Sequence, residues 1–347
     1  MLTREKFRGC IIGQCVGDAV GMPVERQSPK VCQEYVRQLH ADNIGDVHHP
    51  LFAFGQYTDD SQLMRELLSS FVACEDFDPA DYARRIARIY AKNQIIGSSS
   101  ASTKVAAQLA NGVAWQEAGT PAPYARNGSA MRSAPIGLFF SHDPDHLIQS
   151  ACDQGRITHQ DPRASAGAVA IAGAVAIVVQ VDEIHPSEFL NQLSVWVEQV
   201  EPSVASDLMQ LVEWIELPIN PALQRIMPMG SPPESLKDWE GISPWVVPSV
   251  VWSLYAFLHS PHNYWQTIST AISGGGDADT TAAMAGAISG AFLGLEAIPT
   301  TVSYRLTDQG KWGYEPLLAL ADLGFHLTRV RQMIDEKTML IRWATSV

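Results

Sequence analysis

Apolar residues recur along most of the chain at the three- and four-residue spacing that is typical of amphipathic α-helices. Five windows are long and apolar enough to predict core helices: 62–73, 81–90, 166–179, 248–258 and 280–293. Sustained alternation of apolar and polar residues, which indicates β-strands, is scarce, and no series of strand and crossover units is visible. The pattern therefore predicts an all-α fold.

Alanine and glycine are concentrated in two of these helices, over residues 164–176 and 282–294. Side chains this small let helix backbones approach closely and form a rigid centre. The uncharged stretch 164–181 is long enough to span a membrane, but it is dominated by alanine and glycine and contains Gln180. We therefore expect a buried helix there and no membrane partner.

Prolines mark the connecting segments, and the longest proline-rich segment covers residues 217–248. It contains Pro218, Pro221, Pro228, Pro232, Pro233 and Pro244. Long loops in compact domains are more often lids or binding segments than simple connectors. Because no segment has the composition of an interdomain linker, we expect a single domain over residues 1–347.

Composition and charge narrow the class of protein. Hydrophobic residues make up 46% and charged residues 18%, as in folded globular proteins. The formal net charge of −13 disfavours nucleic-acid binding, because an acidic surface repels phosphate backbones. The five cysteines form no C-x-x-C pair, and Gly13, Gln14 and Gly17 interrupt the first apolar stretch, which is therefore unlike a secretory signal. We expect reduced thiols, a cytoplasmic location and a monomer.

Two acidic clusters stand directly before predicted helices: Thr58-Asp59-Asp60-Ser61 and Asp277-Ala278-Asp279-Thr280. A helix start needs one capping oxygen, so capping accounts for only one residue of each cluster. Adjacent carboxylates repel each other unless a cation neutralises them. Carboxylate and hydroxyl oxygens without histidine or cysteine suit Mg²⁺ or Mn²⁺ better than zinc or copper. The two clusters together predict a site for hard divalent cations.

Other segments carry weaker signals of function. Asp18 and Glu25 form a third acidic pair, although a lone Glu25 is more typical of a solvated surface carboxylate. Residues 96–103 predict a small-residue turn before a helix, which suits an anion but lacks the lysine of a P-loop. Residues 127–132 combine a turn with a positive charge, and residues 157–163 place a histidine and an aspartate at a helix start.

The same segments, in the same order, resemble the ADP-ribosylglycohydrolase family, which includes the dinitrogenase reductase-activating glycohydrolases. The matching segments are GQCVGDAVGMPVE at 13–25, YTDDS at 57–61, NGSAMRSAPIG at 127–137, THQDPRA at 158–164 and GGDADTTAAMAGAISG at 275–290. They extend over most of the chain, and the last of them is the most specific.

The resemblance implies an all-α, orthogonally packed fold with two Mg²⁺ ions, or Mn²⁺ ions in their place. The metal ligands that it implies are Thr58, Asp59, Asp60, Asp277, Asp279 and Thr280. The ADP-ribose site that it implies is lined by Gly97, Ser98, Ser99, Asn127, Gly128, Ser129, Met131 and His159. Glu25 occupies the position of the family's catalytic glutamate, and Asp60 is the second expected catalytic carboxylate. The implied partners are ADP-ribose and an ADP-ribosylated protein.

Two features depart from the family pattern. Arg126 stands where the family usually has a glycine, and it either contacts a phosphate or points to solvent. The segment 217–248 matches poorly, which leaves the wall around the leaving group undefined. The sequence does not identify the linkage that is cleaved: arginine-linked ADP-ribose, serine-linked ADP-ribose, O-acetyl-ADP-ribose and poly(ADP-ribose) are all possible substrates.

The resulting hypothesis is hydrolysis at the anomeric carbon of the distal ribose. The metal ions bind the 2″ and 3″ hydroxyls, carboxylates stabilise an oxocarbenium-like centre, and Glu25 acts as the general acid or base. Two alternatives are a non-catalytic binding or structural relative, such as the crystallins of this family, and a metal-dependent hydrolase of another glycoside or phosphate ester. The presence of all six expected ligands and of Glu25 disfavours the first alternative.

Overall fold

The structure is a computed structural model that describes residues 1–39, 52–232, 238–310 and 312–345, with side chains as far as residue 334. Its helices are α1 (Arg4–Gly21), α2 (Pro29–Gln38), α3 (Asp59–Cys74), α4 (Pro79–Ala91), α5 (Ser100–Ala110), α6 (Trp115–Ala118), α7 (Ala134–Phe139), α8 (Pro144–Arg156), α9 (Pro162–Val178), α10 (Pro186–Glu198), α11 (Pro202–Met209), α12 (Leu211–Trp214), α13 (Ile219–Ile226), α14 (Val246–His259), α15 (Tyr264–Ile272), α16 (Ala278–Leu293), α17 (Thr300–Ser303) and α18 (Tyr314–Thr345). Within the described residues β-pairing is limited to isolated bridges. The predicted all-α fold is confirmed.

The five predicted core helices are α3, α4, α9, α14 and α16, and each begins two to four residues before its predicted start. Helix α9 shows why. Pro162 fills the first helical position, where no backbone N–H is needed, and the Asp161 side chain accepts a hydrogen bond from the Arg163 amide. The apolar pattern does not include such capping residues, so it underestimates the length of a helix.

The prediction of one long loop over 217–248 is wrong for part of that segment. Residues Ile219–Ile226 form α13, in which Ala222, Leu223 and Ile226 are buried. Pro218 is the N-cap and Pro221 lies in the first turn, where backbone N–H groups have no intrahelical partner. Residues 233–237, which include Pro233, lie outside the described residues.

The centre of the fold is an antiparallel pair formed by α1 and α16. A Cβ atom built on Gly13 would lie 2.5 Å from the carbonyl oxygen of Gly286, and one built on Gly17 would lie 2.1 Å from that of Ala282. The two backbones are therefore in direct contact, as the concentration of small residues in 282–294 predicts. This contact places Asp18 of α1 beside the start of α16.

Helix α9, the other small-residue helix, packs against α7, α8, α10 and α16. All its residues from 164 to 178 are buried, so the predicted buried helix is confirmed. Among the described residues, every helix is too short or too polar to cross a membrane. All five cysteines are free thiols; four are buried and Cys74 is exposed.

The α1–α16 contact predicts that Gly13→Ala lowers the free energy of unfolding by about 1–3 kcal/mol, because overpacking forces the two backbones apart. The measurement is the urea midpoint of unfolding, followed by far-UV circular dichroism. Gly155→Ala in α8 is the matched control, since its Cβ would meet only ordinary contacts at 3.4 Å or more. Equal midpoints for the two variants would show that the backbones are not in contact.

Candidate metal and ligand site

The first acidic cluster lies at the N-terminus of α3 and is held there by Asp18 from α1. The buried Asp18 carboxylate accepts hydrogen bonds from the backbone N–H of Thr58 at 3.0 Å and of Ser61 at 3.1 Å. It also lies 3.0 Å from the Thr58 hydroxyl. Thr58 is the N-cap residue of α3, but its own side chain makes no capping hydrogen bond. Asp18 therefore caps α3 from another helix and leaves the carboxylates of Asp59 and Asp60 for another purpose.

The second acidic cluster follows a glycine turn at the N-terminus of α16. Gly275 and Gly276 have φ angles of 62° and 69°, and a Cβ on Gly276 would lie 2.1 Å from the Ile242 carbonyl oxygen. Only glycine fits this approach. The turn delivers Asp277, whose carboxylate accepts a hydrogen bond of 2.5 Å from the Asn127 amide. The orientation of Asp277 is thus set by the turn that begins at Asn127.

The two clusters converge, as the sequence predicts, but with additional members. Asp18, Asp60 and Asp279 each place a carboxylate oxygen within 4.8 Å of the others, and so do Glu25, Asp277 and Asp279. Asp279 belongs to both groups. Asp18 was missed as part of this site, although a carboxylate inside an apolar helix pattern is a signal that points to it.

The remaining predicted metal ligands lie beside these groups. Asp59 and Thr280 line the same cavity as Asp60 and Asp279. The Thr58 hydroxyl lies 3.0 Å from both Asp18 and Asp60, so within the described residues it bridges two carboxylates rather than lining the cavity.

Burial and mutual repulsion raise the pKa values of these carboxyl groups. Burial is the main cause in every case, and it raises the pKa of Asp18 and Asp277 to about 6 and that of Asp59 to about 8. Asp60 and Asp279 have pKa values well above the usual range, through burial and then the neighbouring carboxylates. Such a group of acids is stable in ionised form only if a cation is bound.

The donor set fits a divalent metal ion. One carboxylate oxygen of Asp60 is buried and has no hydrogen-bond donor among the described residues. Buried carboxylate oxygens, with the Thr280 hydroxyl beside them, are the ligands that Mg²⁺ and Mn²⁺ prefer. The acidic clusters therefore form a site that is suited to metal binding.

Glu25 follows the short 3₁₀ turn Met22–Val24 and lines the cavity next to the carboxylate groups. Burial raises its pKa to about 7, with a further contribution from the negative charge of Asp277. A carboxyl group with a pKa near 7 is suited to donate or accept a proton at neutral pH. The structure thus gives Glu25 an environment unlike that of a solvated surface carboxylate.

The carboxylates form one wall of a cavity of about 600 Å³. Seven of the eight residues predicted for the ADP-ribose site line it: Gly97, Ser98, Ser99, Asn127, Gly128, Met131 and His159. Ser129 does not, because its buried hydroxyl donates a hydrogen bond of 2.7 Å to the Ala164 carbonyl oxygen. Ser129 therefore lies outside the lining, and its predicted role in the ADP-ribose site stays a prediction. The lining residues that sequence reasoning missed include Arg26, Tyr124, Asp238 and Trp239.

A chain of hydrogen bonds favours one tautomer of His159. Arg132 donates to the Thr158 hydroxyl oxygen at 2.7 Å, and that hydroxyl lies 2.8 Å from Nδ1 of His159. Because arginine can only donate, the Thr158 hydroxyl directs its proton either to Nδ1 or to the Gly155 carbonyl oxygen at 3.5 Å, and the shorter contact with Nδ1 favours an imidazole proton on Nε2. Burial, and then the charge of Arg132, lower the pKa of His159 to about 3. His159 is therefore a neutral N–H donor at physiological pH.

Gly97 and Gly128 allow close packing at two points of the cavity wall. Gly97 has a φ of 85°, and a Cβ there would lie 3.2 Å from a carboxylate oxygen of Asp59. A Cβ on Gly128 would lie 2.8 Å from Cε1 of His159. Side chains at these two positions would displace Asp59 and His159.

The raised pKa values predict how pH changes the stability of the metal-free protein. An acid whose pKa is higher in the folded state binds protons more tightly when folded, so the stability that these groups contribute is fully present below about pH 4 and is lost as the pH rises towards 8. Mg²⁺ neutralises the ionised carboxylates, and it should therefore raise the melting temperature more at pH 8 than at pH 5. Differential scanning fluorimetry with and without Mg²⁺ measures this difference. An equal or larger Mg²⁺ effect at pH 5 would contradict it.

The sequence and the fold of this chain are similar to those of known proteins. The family model described as ADP-ribosylglycohydrolase matches residues 1–335. The chain is 31% identical to ADP-ribosylhydrolase ARH3 of Bos taurus, with 91% of each chain covered. It is 33% identical to an uncharacterized protein of Archaeoglobus fulgidus, with 83% of this chain and 87% of that protein covered. A solved structure described as an ADP-ribosylglycohydrolase-related protein complex has the same fold, with a TM-score of 0.67, 23% identity and coverage of 94% and 98%.

Proposed function

The chain belongs to the ADP-ribosylglycohydrolase family, and we propose that it is a metal-dependent hydrolase that releases ADP-ribose from modified protein side chains or related conjugates. Membership of the family and the likeness to ADP-ribosylhydrolase ARH3 support ADP-ribosyl hydrolase activity. One observation of the structure carries the finer proposal: Asp279 belongs to two carboxylate groups at once, and Glu25 belongs to one of them. A cation site next to a proton-transferring carboxyl group can support hydrolysis of a glycosidic bond.

We assign two divalent ions, Mg²⁺ or Mn²⁺, to these two carboxylate groups. Asp60 and Asp279 would hold one ion, and Asp277 and Asp279 the other, with Asp59, Thr280 and Thr58 adjacent. Asp18 already accepts three hydrogen bonds from Thr58 and Ser61, so its role is to position α3. Divalent ions at this site supply the positive charge that binds the hydroxyl oxygens of the distal ribose.

The residues of the chain then perform the proton transfer and stabilise charge. Glu25 holds the proton that passes to the leaving group, or accepts the proton of the attacking water, as the bond at the anomeric carbon breaks. The carboxylates of Asp59 and Asp60 lie on the same wall and stabilise the positive charge that develops on the sugar. This is the catalytic role that we propose for Asp60.

The residues that line the cavity beside the carboxylates bind the ADP-ribosyl group. Gly97, Ser98 and Ser99 precede α5, and Ser99 caps that helix through the Ser102 amide. Asn127, Gly128, Met131 and His159 complete the wall. Ser129 supports it from behind through its bond to Ala164. A single domain, a cytoplasmic location and a monomeric state stay predictions.

A panel of defined substrates tests the proposed function. Peptides with serine-linked or arginine-linked ADP-ribose, together with O-acetyl-ADP-ribose and poly(ADP-ribose), are incubated with the protein and Mg²⁺, and free ADP-ribose is quantified. We expect release from at least one linkage. No release from any member, by a protein that is folded and binds Mg²⁺, would overturn the proposal.

A further inference from the structure

Arg126 lies on the wall of the cavity. Its backbone is fixed on both sides: the Asn127 amide donates to the Pro244 carbonyl oxygen at 3.0 Å, and the Val246 amide donates to that of Ala125 at 2.9 Å. Arg126 itself pairs with Trp245 in an isolated antiparallel bridge. The side chain therefore starts from a rigid segment.

Two aromatic rings confine the guanidinium group of Arg126. Its Cζ atom lies 4.9 Å from the ring centroid of Trp245 and 5.6 Å from that of Tyr124. Arginine stacks well on such rings because its guanidinium is planar and weakly hydrated. The contacts limit the side-chain motion of Arg126 and lower the entropy that is lost when it binds a ligand.

Arg126 makes neither a salt bridge nor a side-chain hydrogen bond with any described residue. Its Nε is buried without an acceptor, and so is the indole Nε1 of Trp245, on which it stacks. Buried donors without acceptors are rare in native proteins. By contrast, the buried Arg132 donates to Gln154 and Thr158, so the interior of this protein does supply acceptors to arginine. The donors of Arg126 are available to a ligand.

A second donor lies in the same part of the cavity. The imidazole of His159 stacks on Tyr124, with ring centroids 5.8 Å apart and an interplanar angle of 18°. The short contact between the Thr158 hydroxyl and Nδ1 favours a proton on its Nε2. His159 is 4% exposed, so its N–H is a fixed donor with little access to bulk water. Tyr124 thus contacts both a guanidinium and an imidazole donor.

We propose that Arg126 and His159, joined by Tyr124, form an anion subsite that binds a phosphate of the ADP-ribosyl group. This inference rests on the proposed function. The remainder of the cavity carries six carboxylates, of Glu25, Asp59, Asp60, Asp238, Asp277 and Asp279, and one further arginine, Arg26. A phosphate is repelled by the carboxylate wall and attracted to the Arg126 wall, where a planar guanidinium forms paired hydrogen bonds with it.

The subsite sets the direction in which the substrate lies. With a phosphate at Arg126, the distal ribose is free to reach the metal-binding carboxylates that line the same cavity with Glu25. A substrate that enters in the reverse direction places its phosphates among carboxylates. Arg126 is therefore a positioning residue of this chain, which contributes through binding rather than through contact with the bond that breaks.

The test compares Arg126→Gln and Arg126→Lys with the wild-type protein and with Arg225→Gln. Arg225 stacks on Trp214, with its Cζ 5.7 Å from the ring, but it does not line the cavity, which makes it a matched control. Isothermal titration calorimetry measures the Kd for ADP-ribose and for AMP in the presence of Mg²⁺. A turnover assay measures KM and kcat for release of ADP-ribose from a modified peptide.

Arg126→Gln should raise the Kd for ADP-ribose and for AMP, and the KM, by about 10- to 100-fold, which is the range expected for hydrogen bonds to a charged group. The kcat and the Mg²⁺ concentration that half-saturates the thermal shift should change by less than about threefold. Arg126→Lys should recover part of the affinity, since it keeps the charge and loses the paired geometry. Arg225→Gln should match the wild type.

Two results would overturn the subsite while the proposed function stands. One is a Kd for ADP-ribose in Arg126→Gln within twofold of the wild type. The other is a parallel loss of Mg²⁺ affinity, which would show that Arg126 acts on the metal site through Asn127 and Asp277. A wild-type protein that neither binds nor releases ADP-ribose would overturn the proposed function, and the subsite with it.

Discussion

Glu25→Gln is expected to lower the rate of ADP-ribose release by about 100- to 10,000-fold, which is the contribution that general acid–base catalysis typically makes. The glutamine side chain has nearly the same size as glutamate but has no proton to transfer. Glu25 lines the cavity beside Asp277, and burial raises its pKa to about 7, so the wild-type carboxyl group exchanges protons readily at neutral pH. The substitution removes this function and leaves the shape of the cavity unchanged.

The loss should appear in kcat, whereas the affinity for ADP-ribose should change by only a few-fold. Single-turnover kinetics measure the first quantity and calorimetry the second. Glu240→Gln provides the control, because Glu240 is exposed, lies in the same stretch of chain as Trp239 and does not line the cavity. Turnover by Glu25→Gln at the wild-type rate would refute the catalytic role of Glu25.

Asp279→Asn is expected to abolish metal-dependent activity, with a loss of at least about 1,000-fold, because metal ions contribute several kcal/mol of charge stabilisation in hydrolases. Asp279 is the residue that the two carboxylate groups share, so its charge supports both proposed ions. The Mg²⁺ concentration needed for a thermal shift should rise at the same time. Atomic emission analysis of the purified variant measures the metal that remains bound.

The same substitution should stabilise the metal-free protein at pH 8. Asp279 is buried next to Glu25 and Asp60, and without a cation their mutual repulsion opposes folding. Replacement by asparagine removes one of the repelling charges, so the melting temperature without metal should rise while activity is lost. Asp207→Asn is the matched control: Asp207 lies in α11, away from the cavity, and burial raises its pKa too. Asp279→Asn with full activity and wild-type metal content would contradict the assignment.

The parts of the site that are local in sequence could be predicted from the sequence. Asp59 and Asp60 are adjacent, and Asp277 and Asp279 are two residues apart, so each cluster is visible without knowledge of the fold. Their position at helix starts follows from the apolar pattern that comes after them. Their shared chemistry predicts that the two clusters join, and in the structure carboxylate oxygens of Asp60 and Asp279 lie within 4.8 Å of each other.

The parts that depend on contacts between distant segments could not be predicted in the same way. Asp18 reaches Thr58 only because the glycines of α1 let that helix lie against α16 and past the start of α3. Ser129 lies in a segment that matches the family, yet the bond of its hydroxyl to Ala164 removes its side chain from the cavity. Motif matching places a residue in the right segment and leaves the direction of its side chain undetermined.

Three residues of the cavity wall also could not be predicted from local sequence: Tyr124, Trp239 and Arg126. None of them belongs to a periodic apolar pattern or to a motif, so their meeting in one cavity depends on the loops that precede α7 and α14.

The sequence predicts one loop over the proline-rich segment 217–248, because prolines usually interrupt helices. At Pro218 and Pro221 they begin α13 instead.

We propose that this chain removes ADP-ribose by a reaction that needs the metal site of Asp60, Asp277 and Asp279. The measurement is the initial rate of ADP-ribose release from the best substrate of the panel, before chelation, after exhaustive chelation, and after Mg²⁺ or Mn²⁺ is restored. We expect full activity before chelation, no activity above the rate of Glu25→Gln after chelation, and recovery that follows the concentration of the restored metal. Unchanged release by the chelated protein would contradict it.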